Sequence, residues 1–207
     1  MIDIEEVIKK VKARVPQPIG IKQEYAVVVP LINIGGSWEI IYEVRAKELK
    51  RQPGEISFPG GKVEKGETYR EAAIRETMEE LNIERENINI VGELDYLVSR
   101  DNTTIYSFLG IIENIDINHI EPAENEVDHI FTVPLEFFLK NEPKVYYIEL
   151  EPTISNDFPY NLIPNGKSYD WRTGKESVYF YIYKDYIIWG YTDKMTKVFI
   201  DIIRQAG

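Results

Sequence analysis

Apolar positions along the chain follow two rhythms, one suited to strands and one to helices. Residues 25–32, YAVVVPLI, form an unbroken apolar run that predicts a buried strand. After the turn INIGG, WEIIYEVRA (38–46) alternates like a second strand. INIVGELDYLVS (88–99) and TTIYSFLGIIENI (103–115) predict two more strands, and HIEPAENEVDHIFTVPLEFFLK (119–140) a loop, a short strand and a short helix. VYYIELEP (145–152) and ESVYFYIYKDYIIWGY (176–191) predict a hairpin pair around a polar, aromatic insert, the whole hairpin-like segment spanning 150–185. Helical spacing marks both ends. MIDIEEVIKKVKARV opens the chain as an amphipathic helix, with its lead-in reaching residue 20. Residues 193–205 close it as a helix with apolar positions at 195, 198, 199 and 202. The expected class is α/β, of the α+β type: a mixed sheet with helices on its faces, in one domain over 1–207.

A third helix carries the chemistry. Thr68 and Glu71 form a Thr-x-x-Glu capping box, which starts it at Thr68. Asn82 stands where a helix commonly ends in a left-handed residue. Between them Ala73, Ile74, Thr77, Met78 and Leu81 share one stripe that should face the core. On a helical wheel Glu76, Glu79 and Glu80 fall in one arc on the far side, flanked by Arg75, with Glu67 arriving from the loop before. Like charges three and four residues apart repel. Either solvent screens them, making this an ordinary acidic face, or a cation sits there.

Composition narrows the choice. With 207 residues, 43% of them apolar and 29% charged, the chain reads as a soluble globule of one domain. The formal charge of −11 argues against holding nucleic acid through its phosphates, which needs a basic stripe. It does not exclude a small anionic substrate where a cation or a few bases reverse the sign locally. The 14 tyrosines suit strands and half-buried positions, where a ring needs one wet end. No cysteine is present, so disulfides, cysteine-type zinc sites and thiol nucleophiles are out, which fits a reducing, cytoplasmic setting. The N-terminal segment lacks the unbroken apolar core of a signal peptide, and no apolar run has membrane-spanning length.

A family resemblance over the residues around the glutamates favours the cation. Gly61, five residues, Glu67, seven residues, then Arg75-Glu76-Thr77-Met78-Glu79-Glu80-Leu81-Asn82-Ile83 resembles the Nudix box, over 61–83. Thr77 replaces an apolar residue and Asn82 the closing glycine; neither departure touches an expected ligand. The resemblance implies a Nudix-fold α/β/α sandwich with its mixed sheet between helices, and a diphosphate hydrolase. It implies Mg²⁺ or Mn²⁺ as cofactor, held by Glu76, Glu79 and Glu80. Clustered oxygen ligands on a rigid helix suit such hard ions. It also implies that Arg75 pairs with Glu67, fixing the loop to the helix, while Gly60 and Gly61 let backbone approach metal or phosphate.

The preceding loop addresses the substrate. Arg45-Ala46, three residues, Lys50, three residues, Gly54, three residues, Phe58-Pro59-Gly60-Gly61 resembles the signature ahead of the box in coenzyme A diphosphatases. Here Ile41-Tyr42-Glu43 replaces Leu-Leu-Thr, read as neutral, and Lys50 replaces an arginine, with Arg51 adjacent as a substitute. Asn125-Glu126-Val127, Val133-Pro134-Leu135 and Ile188-Trp189-Gly190-Tyr191-Thr192 continue the likeness, which is loosest over 150–185. Coenzyme A carries a 3′-phosphate besides its diphosphate, so Arg45, Lys50 and Arg51 are the expected substrate contacts. The same bases could instead make ordinary surface pairs.

Among Glu121, Glu124 and Glu126, only Glu126 falls on the matched Glu-Val, and it is the candidate general base. His119 and His129 have no nucleophile to serve and read as structural. The aromatic residues of the insert could stack on a base, but packing is their commoner use. The expected reaction cuts coenzyme A or an acyl derivative into 3′,5′-ADP and 4′-phosphopantetheine. Two alternatives stand beside it: an ADP-ribose or dinucleotide diphosphatase, and a Nudix-fold module that binds a nucleotide without cutting it. The expected partner is a small nucleoside diphosphate, with no nucleic acid or membrane, and a homodimer is compatible.

Overall fold

The computed structural model describes residues 3–205. Helix α1 (Ile4–Ala13) is capped by Asp3, whose Oδ1 accepts from the amides of Glu5 and Glu6 at 3.0 and 3.4 Å. It buries none of its residues, so its apolar stripe stays open to solvent. The helix expectation for Met1 and Ile2 lies outside the described residues.

Strands β1 (Gln23–Ile34) and β2 (Ser37–Arg45) form an antiparallel hairpin at one end. The loop that follows folds back as two short pieces, β3 (Ile56–Ser57) on β2 and β4 (Gly60–Lys62) on β1. Helix α2 (Tyr69–Leu81) comes next, then β5 (Ile88–Glu93), β6 (Leu97–Val98) and β7 (Thr103–Ile112). β7 runs parallel to β1 along ten residue pairs and carries β5 and β6 antiparallel on its other edge. β8 (Val127–Pro134) pairs antiparallel with β2 and runs directly into α3 (Leu135–Lys140). A separate three-stranded sheet contains β9 (Lys144–Leu150), β10 (Gly174–Tyr183) and β11 (Tyr186–Trp189). Helix α4 (Gly190–Gln205) follows without a break.

Side chains alternate across a strand, and β1 and β2 use both faces. Ala26, Val28, Ile32 and Ile41 pack in clusters with Ala72, Ala73, Ile74 and Leu81 of α2. Val27, Val29, Leu31, Ile40 and Tyr42 pack with Phe138 of α3 and with Met195, Phe199 and Ile200 of α4. The mixed sheet between helices is therefore formed as expected. No helix among the described residues is long and apolar enough to cross a membrane.

Three expectations need correction. The single strand over 88–99 is two, because the β5–β7 register slips between Ile90 and Gly92 and Ser107 ties down the carbonyl of Asp95 at 2.7 Å. The closing helix starts at Gly190 rather than 193, and it buries Thr192, Asp193, Met195, Thr196, Phe199 and Ile200. Ile202, one of the apolar positions of this helix, is 43% exposed. The insert is also shorter than 150–185: β9 and β10 pair from Leu150↔Gly174, leaving 151–173 between them. There Trp171 packs edge-on against Phe158 and Tyr169, so these rings serve one another.

Candidate functional site

Local chemistry fixes the ends of α2. Thr68 Oγ1 accepts from the amide of Glu71 at 3.2 Å, and Glu71 Oε2 accepts from the amide of Thr68 at 2.7 Å, closing the capping box. At the other end Asn82 takes the left-handed conformation, φ 51° and ψ 50°, that a glycine would otherwise provide. Between them Thr77 is fully buried and donates to the carbonyl of Ala73 at 2.7 Å, so its hydroxyl needs no outside partner.

The three glutamates do not share one solvent-facing arc. Glu79 is exposed, its side chain at 60%, but Glu80 is only 3% exposed and Glu76 is half-buried. The cause is β4, which lies beside the helix. Glu80 Oε2 accepts from the amide of Gly60 at 2.7 Å. A β-carbon on Gly61 would overlap the Glu76 carboxyl group, and one on Gly60 the backbone of Ala26 and Val27. The glycine pair is thus required by close approach within the protein, to Glu76 and to β1.

Arg75 gathers the acids around it. Its Nε and Nη2 donate to the two oxygens of Glu67 at 3.2 and 2.9 Å, so the pair forms as a fork. Its Nη1 donates to Glu76 at 2.8 Å and Glu79 at 3.2 Å, and Nη2 also reaches the carbonyl of Lys62 at 3.2 Å. This hydrogen bonding holds the Glu67 carboxyl below its ordinary pKa. Glu76 is shifted upward instead, chiefly by burial and against the pull of Arg75.

Glu43 is the residue that sequence reasoning missed. The replacement of a threonine there was read as neutral, yet this side chain is 1% exposed. It shares the α2-facing side of β2 with Ile41. Oε1 accepts from Ser57 Oγ at 2.8 Å, while Oε2 is buried without a hydrogen-bond partner. Burial raises the pKa of Glu43, and Ser57 and Arg45 oppose the rise. Glu80 is raised by burial first and by Glu43 next, with the Gly60 amide opposing. The available signal was a charge inside an otherwise apolar strand pattern.

Two further segments meet these acids. The carbonyl of Glu80 accepts from the amide of Ala123 at 3.0 Å, and the carbonyl of Glu126 accepts from the amide of Ala46 at 2.9 Å. Those bonds tie the 121–126 loop to both α2 and the end of β2. The Glu126 side chain is exposed, and its charge contributes to raising Glu43, Glu76 and Glu80. Arg45 is half-buried at the β2 terminus and its buried Nε has no acceptor. Its backbone bonds both Glu55 and Gly54, at 2.9 and 3.0 Å, closing the base of the intervening loop. Lys50 and Arg51 lie exposed on that loop, outside the ion pairs formed among the described residues. His129 bonds Asp128 at 2.6 Å and Tyr186 at 3.2 Å, and His119 lies exposed.

The donors suit a hard divalent cation: carboxylate oxygens on a capped helix, backbone brought close by two glycines, and a buried oxygen without a proton to accept. Among the described residues no three acidic groups converge as a finished cage. Mg²⁺ does not require one, since it usually keeps several waters and shares phosphate oxygens of its substrate.

Comparison with known proteins places the chain in a family. A NUDIX domain model matches residues 22–149. The chain is 33% identical over 136 residues to the peroxisomal coenzyme A diphosphatase NUDT7 of Mus musculus, covering 65% of this chain and 56% of that protein. It is 33% identical over 123 residues to the mitochondrial coenzyme A diphosphatase NUDT8 of Mus musculus, covering 58% and 59%. The match thus spans little more than half the length of either relative. The fold resembles a MutT/nudix family protein from Enterococcus faecalis, with a TM-score of 0.50 at 16% identity, over 97% of this chain and 69% of the other. The family model takes in more than half of the sequence and all of the capped helix, its leading loop and β1 to β8, and the chain belongs to the NUDIX domain family.

Proposed function

We propose that this chain hydrolyses the diphosphate bond of coenzyme A or an acyl derivative, giving 3′,5′-ADP and 4′-phosphopantetheine or its acyl form. The observation that carries the reading is the run Arg45, Lys50, Gly54 and Phe58-Pro59-Gly60-Gly61 leading straight into the acidic helix. That loop is bonded at its base, Arg45 to Gly54 and Glu55, and in sequence its bases directly precede the glycine pair. The coenzyme A diphosphatases among its relatives support the choice of substrate.

Glu76, Glu79 and Glu80 hold Mg²⁺ or Mn²⁺ in this account, which when bound neutralises the diphosphate and activates water. Arg75 keeps Glu67 and Glu76 in position and is a positioning residue. Glu126 takes the proton of the attacking water, from a loop bonded to both α2 and β2. Arg45, Lys50 and Arg51 supply cations to the 3′-phosphate. The site works in a reducing compartment such as the cytoplasm, which a chain free of cysteine tolerates.

One departure favours a second reading. Lys50 stands where the coenzyme A pattern has arginine, and an ammonium cannot make a forked contact. An ADP-ribose or dinucleotide diphosphatase would need no such contact. Incubation of the purified protein with coenzyme A and Mg²⁺ tests the first reading: 3′,5′-ADP should appear and a chelator should stop it. Absence of hydrolysis at any Mg²⁺ or Mn²⁺ concentration would refute it.

A further inference from the structure

Glu43 sits where an apolar side chain would continue the pattern of β2. Its neighbour on the same face, Ile41, packs with Ile74 and Leu81 of α2. A buried carboxylate costs several kcal/mol unless it is paired or coordinated. Only half of this one is satisfied: Ser57 serves Oε1, and Oε2 has no partner. Arg45, two residues along, does not pair with it and has an orphaned Nε of its own. Glu80 of α2 is also buried, and its Oε2 accepts from the Gly60 amide at 2.7 Å, three residues from the Ser57 that serves Glu43. Two enclosed acids from different elements, β2 and α2, therefore hold the same short segment, Glu43 through Ser57 and Glu80 through the Gly60 amide, and Glu43 keeps an unused oxygen that no basic group bonds.

We propose that Glu43 is a fourth carboxylate of the cation site, its orphaned oxygen sharing with Glu80 a divalent ion bound between β2 and the C-terminal half of α2. This inference rests on the metal-dependent reading above and adds to it a residue outside the 61–83 pattern. Ser57 then orients the ligand by holding its other oxygen, as partners behind a metal ligand commonly do. The competing account is a neutral acid whose only task is its hydrogen bond to Ser57.

Mn²⁺ alone separates the two. Metal-free wild-type protein, Glu43→Gln and Glu43→Thr would be titrated with Mn²⁺, reading free ion by electron paramagnetic resonance and melting temperature alongside. Glu43→Gln should weaken Mn²⁺ binding by roughly 10–100-fold. Its metal-free melting temperature should equal or exceed that of the wild type, because an uncompensated buried charge has gone. Glu43→Thr, which suits a strand and shortens the side chain, should show the same loss of affinity. Unchanged Mn²⁺ affinity in a folded Glu43→Gln or Glu43→Thr protein would overturn the proposal. Wild-type protein that binds Mn²⁺ through Glu43 yet leaves coenzyme A intact would refute the substrate reading and uphold the ligand. Wild-type protein that binds no Mn²⁺ would overturn both.

Discussion

Gly61 and Glu76 occupy the same space so closely that a β-carbon on the glycine would overlap the glutamate's carboxyl group. The glycine is therefore part of the site's geometry, because any side chain there pushes Glu76 off the position where Arg75 holds it at 2.8 Å. Gly61→Ala should lower kcat/KM by about 100-fold, the scale at which a displacement near 1 Å acts. Steady-state kinetics beside a thermal melt checks this. Normal turnover in a folded Gly61→Ala protein would contradict it.

Arg75→Lys tests the fork onto Glu67. A lysine keeps the charge but reaches one oxygen at a time, so the loop carrying Glu67 loosens from α2. Activity should fall by roughly 10–100-fold with little change in the KM for substrate. A rise in KM alone would mean that Arg75 binds substrate directly.

Asp193 predicts a pH dependence away from the site. It is fully buried at the start of α4, neither oxygen has a donor, and burial pushes its pKa up to about 8 despite Lys197 and Lys194. Its folded value lies above the unfolded one, about 3.9. The stability this contributes is complete below pH 4 and is lost as pH rises through about 8. Asp193→Asn should melt several degrees above the wild type at pH 9, at about 2–4 °C per kcal/mol for a chain this size, with the two converging near pH 4. Parallel melting curves across that range would exclude this role.

Arg45→Ala and Lys50→Ala should each raise the KM for coenzyme A about tenfold, the scale of a charge-assisted hydrogen bond. The dephospho form, lacking the 3′-phosphate, should be affected less. Equal effects on both substrates would remove these bases from 3′-phosphate recognition.

How much could be read from the sequence followed the range of the interactions. The limits of α2 at Thr68 and Asn82 were legible because caps are local, and so was the Arg75–Glu67 pair, whose partners are eight residues apart. The burial of Glu80 was not, since a helical wheel omits the β4 segment that folds over it. Glu43 was missed for the same reason: its enclosure depends on β3 pairing along the edge of β2 and on α2 packing against its face, both later in the chain. The start of α4 was not legible, because its first turn, from Gly190, buries Thr192 and Asp193, polar residues that an apolar pattern does not mark.

The most direct measurement is product identification with the substrates side by side. Purified protein with Mg²⁺ or Mn²⁺ would be offered coenzyme A, ADP-ribose and diadenosine polyphosphates at equal concentration. The account predicts 3′,5′-ADP and 4′-phosphopantetheine from coenzyme A, well ahead of any other product. Faster cleavage of ADP-ribose or a dinucleotide would contradict it, and would assign the loop from Arg45 to Gly61 to another substrate.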